Sequence, residues 1–139
     1  MKKIISLLAF AILLSCAKLD PKVEIAAKAI REKTCITPDW LIDSEEYENL
    51  LSVATNEDLV FLTDDDDPNV RYYSFIGLIE RNYPKINEIH NSHKGDEQKI
   101  FTSNGACLRN WVSLNSLLDE AIAPESFYNL AFAENAYRK

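Results

Sequence analysis

One segment constrains the fold of this chain more than any other. Asp67 followed by Pro68 places a capping acid just before a proline at a first helical position, where the missing N–H costs nothing. From Tyr72 to Ile79 the residues are apolar nearly all round, with Ser74 and Gly77 as the small exceptions. The spacing predicts a helix from Pro68 to about Asn82, ending before the Tyr83-Pro84 pair. A helix that is apolar on several sides needs neighbours on several sides. The rest of the chain therefore has to supply them. Tyr72 and Tyr73 are adjacent, so their side chains diverge by about 100° on a helix, and one of them is predicted to face out.

The flanking sequence offers helices to do the covering. A helix is predicted from Val23 to about Lys33, rich in Ala and Ile, followed by a break from Thr34 to Leu41 that holds Pro38 and Asp39. Asp43 can cap the next helix, with Glu45 and Glu46 in a first turn where the dipole favours acids. Tyr47, Leu50, Leu51 and Ala54 then follow at i, i+3, i+4 and i+7. Thr55 can cap again with Asp58 three residues on, and Leu59, Val60, Phe61 and Leu62 read as a short buried helix. After Pro84 a short helix to about Ser92 carries Ile86 and Ile89 on one side, and His93 to Lys99 is a polar connection. Ile100 to Arg109 is ambiguous, with Asn104-Gly105 as a turn signal. Ser113 can cap a helix striped by Leu114, Leu117, Leu118 and Ala121, which Pro124 stops. Phe127, Leu130 and Ala131 suggest a last helix. With three glycines in 139 residues, against a usual share of ~7%, the composition leans away from many hairpins and from phosphate-cradling loops.

The N-terminus reads as an address. Lys2 and Lys3 precede an apolar run from Ile4 to Leu14 broken only by Ser6. At 1.5 Å per residue that run covers roughly 16 Å, too short for a hydrocarbon core of ~30 Å. A basic start and a short apolar run describe a secretory signal instead. Leu13-Leu14-Ser15-Cys16 resembles the bacterial lipobox. The resemblance implies a signal peptide over 1–15, diacylglyceryl transfer to the Cys16 thiol, and acyl chains that hold the protein in membrane lipid. Ala17 rather than Asp after the Cys implies, by the same resemblance, sorting to the outer membrane of a bacterial envelope. Residues 16–22 then form the lipidated Cys and a polar tether, and 23–139 the folded domain.

A second resemblance covers roughly residues 43–82. The run from Asp58 through Thr63-Asp64-Asp65-Asp66-Asp67-Pro68-Asn69-Val70-Arg71 to Leu78-Ile79 is similar to a HEAT repeat, with Pro68, Val70 and Arg71 as the matching positions. That family pairs two antiparallel helices across an Asp- and Pro-bearing turn. Its usual Ala four residues beyond the Val is Ser74 here. The resemblance makes Asp67, Pro68 and Arg71 structural turn and cap residues, with Arg71 paired to an acid of the inter-helix turns. It implies an all-α fold, a short α-solenoid of about three units, which suits the length and the need of such stacks for about three repeats.

Candidate chemistry is sparse. The full chain carries 15 basic and 22 acidic residues, and removal of 1–15 leaves 13 against 22, a net charge of −9. Such a chain repels nucleic acid and has no basic patch to offset this. The acidic run Asp64–Asp67 fails the calcium-loop pattern, because position six is Val70 or Asn69 instead of Gly and position twelve is Ile76 or Phe75 instead of Glu. His90 and His93 share a helix face near Glu88, Asp96 and Glu97 and form a weak metal candidate; a solvated helix end is the plainer reading. Cys35 and Cys107 remain after lipidation of Cys16. In an oxidising envelope they are a disulfide candidate, stabilising by roughly 4 kcal/mol across their loop, and otherwise two small buried apolar residues. Trp40 and Trp111 lie in or beside breaks and are assigned to the ends of the core, with a partner-anchoring role as the second reading.

No esterase elbow, zincin helix or phosphate loop occurs. The sequence therefore predicts a non-enzymatic, membrane-anchored module that binds or scaffolds proteins, with no cofactor and a net charge that favours a basic partner. The alternative is an acidic inhibitor or immunity-type protein that neutralises a basic envelope toxin or enzyme, and a metal-dependent enzyme stands behind both.

Overall fold

The computed structural model describes residues 19–36, 44–103 and 109–123. Cys16, Trp40, Asp43, Cys107, Pro124 and the helix expected around Phe127 lie outside these residues. What is described is mostly helical, with six helices and one two-stranded sheet. The purely helical expectation is thus corrected by one hairpin.

Helix α1 spans Pro21–Arg31, starting two residues before the predicted Val23. Pro21 takes the first helical position and the Asp20 side chain accepts the Lys22 N–H at 2.8 Å, so part of the expected tether is helix. Its buried residues Val23, Ala26, Ala27 and Ile30 follow the i, i+3, i+4, i+7 pattern of one face. Helix α2 spans Glu45–Val53, with Ser44 at the N-cap position donating its hydroxyl to Glu46 instead of capping the helix, and with Tyr47 and Leu50 buried. Helix α3 spans Asn56–Leu62. Thr55 and Asp58 form the reciprocal capping box that their spacing predicts. Helix α1 packs on α2 and α3 packs on α4.

Helix α4 spans Pro68–Glu80 and is the centre of the molecule. Asp67 Oδ1 accepts the N–H groups of Asn69 (2.8 Å) and Val70 (3.3 Å), which satisfies two donors that the helix leaves unpaired at its start. The helix ends two residues before the predicted Asn82. Asn82 itself has φ 53°, a left-handed turn conformation that Asn tolerates. Val70 and every residue from Tyr72 to Ile79 are buried. Helix α4 touches α1, α3, α5, α6 and β1, which is why no face is left for solvent. This corrects the expectation for the tyrosines. Tyr72 and Tyr73 are 1% and 2% exposed, with the Tyr73 ring 5.7 Å from that of Tyr47 on α2. Gly77 permits a close approach, since a Cβ there would lie 2.6 Å from Leu51 Cδ2.

Beyond α4 the packing thins. Helix α5, Ile86–Ser92, has no buried residue, although Ile86 and Ile89 lean on the core. Strands β1, Lys99–Ser103, and β2, Arg109–Ser113, form an antiparallel hairpin in which Ile100 pairs with Val112 and Phe101 with Trp111. This is the segment whose sequence reading is ambiguous. The hairpin exists because Ile100 is buried and Val112 packs against the core, a strand alternation that only a neighbouring surface makes decisive. Ile36 adds a single parallel bridge to Thr102 on the other side of β1. Helix α6, Leu114–Ile122, follows directly and buries Leu114, Leu117, Leu118 and Ala121, the predicted stripe, against α4.

Candidate functional site

The acidic turn between α3 and α4 is built into the fold as a brace. Asp65 accepts two hydrogen bonds from the Arg31 guanidinium on α1, at 2.6 and 3.2 Å, and one from the Asp67 N–H at 2.9 Å. Arg31 also reaches Glu24 at 2.7 Å. Burial acts to raise the Asp65 carboxyl, but the Arg31 bonds, the Asp67 N–H and the nearby Arg71 charge together hold it below the ordinary carboxylate value. The same pairing raises Arg31 further above its already high value. Lys33 donates to Glu46 at 2.6 Å, which holds that carboxyl low as well and ties the end of α1 to the start of α2.

Arg71, the resemblance-derived turn residue, donates to the main-chain oxygen of Asp65 at 2.8 Å and pairs with Asp96 at 3.1 Å. It also meets Gln98. It thus joins the turn to the connection between α5 and β1. A second arginine, which the sequence reading did not single out, has a comparable role. Arg81 donates to the carbonyls of Leu51 (2.7 Å) and Ala54 (3.0 Å), capping the C-terminal end of α2 from outside.

The two histidines are not brought onto one ligand. His90 Nε2 lies 2.6 Å from Asp119 on α6. His93 Nε2 lies 3.5 Å from Asp64 and its Nδ1 3.9 Å from Asp96. Both imidazoles are mostly shielded, so the expectation of a solvated helix end is corrected: His90 on α5 and His93 just past its end each meet a carboxylate on another segment. Among the described residues no group of three His, Cys, Asp or Glu side chains converges as a metal site would. Cys35 is half-buried and its thiol lies 3.4 Å from the Ile36 oxygen. Cys107, its expected partner, lies outside the described residues, as does Cys16.

Among the described residues three large apolar side chains are left open to solvent. Trp111 is 67% exposed, against the expectation that it caps the core, because its strand turns Val112 and not Trp111 inward. Its ring packs against that of Phe101, tilted by 40° with centroids 4.9 Å apart. Phe61 is 51% exposed, a second correction. A seven-residue helix packed on one side buries Leu59 and Leu62 at i and i+3, and Phe61 falls off that face. Phe61 lies one turn beyond Glu57, with Asp64 in the turn that follows, and both acids are exposed. The result is an open aromatic side chain with exposed acids four residues before it and three residues after it in sequence. The signal was present in the spacing, but four consecutive apolar residues conceal it. Ile25 on α1 is also open, at 68%. No helix among the described residues is long and apolar enough to cross a membrane. The chain matches no protein-family model, no curated protein and no solved structure.

Proposed function

We propose that this chain is a lipid-anchored lipoprotein of a bacterial envelope whose helical domain is a non-enzymatic protein-binding module for a basic partner. Lys2, Lys3, the short apolar run to Leu14 and the Ser15-Cys16 pair support the anchor. The paired packing of α1 with α2 and α3 with α4 supports a HEAT-like stack. In that reading α5 and α6, both set on α4, supply the third layer, with the hairpin inserted between them.

The observation that carries the binding role is Phe61, half open to solvent between Glu57 and Asp64. An exposed aromatic ring costs hydration that a partner would recover, and the acids on either side of it in sequence select a cationic surface. The charged groups deeper in the stack, Arg31, Asp65, Arg71 and Arg81, are occupied in holding helices together. Capture from the native membrane with the full lipidated chain tests this reading. A basic protein should be recovered at low salt and lost with Phe61→Asp, which leaves the fold intact because the side chain is open. Recovery that is indifferent to Phe61→Asp and to salt would overturn it. Mass spectrometry of the membrane-extracted chain should show acyl groups on Cys16 and no residues 1–15, and Cys16→Ser should abolish the acyl mass; a wild-type chain without acyl groups would overturn the anchor.

The same acidic face favours a second reading, an inhibitor that neutralises one basic enzyme or toxin. That reading requires loss of the captured protein's activity on binding, which a scaffold does not produce.

A further inference from the structure

Among the described residues the hairpin has one covered edge and one open edge. Ile36 donates its N–H to the Phe101 oxygen (3.0 Å) and accepts the Ser103 N–H (2.9 Å). The main-chain groups of Phe101 and Ser103 therefore face Ile36, and those of Ile100 and Thr102 face β2. In an antiparallel ladder residues in register share this alternation. Trp111 is in register with Phe101, and Arg109 with Ser103. Their main-chain N–H and C=O groups accordingly point away from β1, and among the described residues nothing bonds to those of Trp111. An unpaired edge with an open aromatic ring is a template for another strand.

We propose that a second copy of this chain occupies the edge, β2 pairing antiparallel with β2 about a two-fold axis at Trp111. Three features favour a second copy as the occupant. Trp111 is the middle residue of the five in β2, so a two-fold there matches the strand to itself over its whole length. The pairing sets Trp111 against Trp111 and extends the Phe101–Trp111 pair into a ladder of four rings across four strands. The charges also fit. Position 109 comes to lie opposite Ser113 of the second copy, and Lys99 is already opposite Ser113 of its own chain, so no like charges face one another. A two-stranded sheet is marginal alone, and doubling it stabilises it. Five residues of edge bury less than the ~1,000 Å² of a stable interface, so the dimer is weak and concentration-dependent.

This inference does not rest on the Phe61 face and is tested separately. Sedimentation velocity of the full chain in detergent micelles, from micromolar to millimolar concentration, should show a dimer that grows with concentration. Trp111→Lys sets two ammonium groups across the axis and should weaken the dimer by about tenfold or more, with an unchanged helical circular dichroism signal. Should that variant lose its fold, Arg109→Pro removes an outward N–H at the first strand position, where proline is tolerated, and must have the same effect. The double variant Arg109→Cys, Ser113→Cys should form a bridge between 109 of one copy and 113 of the other under mild oxidation, read by mass spectrometry of the linked peptides. A chain that is monomeric throughout, a dimer indifferent to Trp111→Lys, or bridges only between like positions would overturn the proposal.

Discussion

Helices α4 and α5 are consecutive, yet they are held by different physics. Helix α4 buries nine of its thirteen residues and is fixed by close packing on several sides. Helix α5 buries none of its seven and is held by two partly buried isoleucines and two histidine–carboxylate contacts. The difference separates what stabilises this molecule from what merely positions its segments. Packing of α4 sets whether the chain folds. Polar braces at its periphery set how the outer elements sit, and each is worth far less.

The largest expected effect comes from the packed side of that comparison. Ile76→Asp puts an unpaired charge at a position 1% exposed and should abolish cooperative thermal unfolding. A variant that melts like the parent would remove α4 from the core. Next comes the acidic turn, where neighbours behave differently. Asp65→Ala strands the Arg31 guanidinium and the Asp67 N–H and should destabilise by about 2 kcal/mol. Asp64→Ala, at an exposed position one residue earlier, should stay within about 0.5 kcal/mol. Equal effects in denaturant titrations would mean that the turn acts only through its net charge.

Acid should reveal the same braces. Asp65 and Glu46 both have carboxyls held below their ordinary values of 3.8 and 4.5. A depressed folded-state pKa stabilises the fold above the unfolded-state value and ceases to do so as pH falls through the folded-state value. Stability should be level down to about pH 5 and decline below the ordinary carboxylate range, and Asp65→Ala should flatten that decline. A loss that begins near neutrality would place the sensitive groups elsewhere. The smallest effect belongs to Ser74→Ala. Ser74 is fully buried in α4, and among the described residues its hydroxyl has no hydrogen-bond partner. Its removal should be neutral or stabilise by up to about 1 kcal/mol. A clear loss of stability would show that the hydroxyl is satisfied in solution.

The packed region was also the legible one. Asp67-Pro68, the Thr55–Asp58 box and the leucine stripe of α6 are local signals, complete within one turn of helix, and each forms as its spacing predicts. The hairpin was not legible. Its alternation spans five residues a strand, and the inward choice of Ile100 and Val112 depends on a surface formed by α4 and α6. Trp111 followed that choice outward. Arg81, the His90–Asp119 contact and the His93–Asp64 contact escaped for the same reason, because these partners lie 25 or more residues away in sequence. Phe61 hid within an apolar run of which α3 buries only one face. The solvent-facing candidates are thus the residues whose fate tertiary contacts decide.

Native-state hydrogen exchange of the full chain tests the contrast between α4 and α5 directly. Amides of α4 should exchange only through global unfolding, whereas those of α5 should open at a much smaller free energy, unaffected by denaturant at low concentration. Equal protection of the two helices, or earlier exchange of α4, would contradict the account.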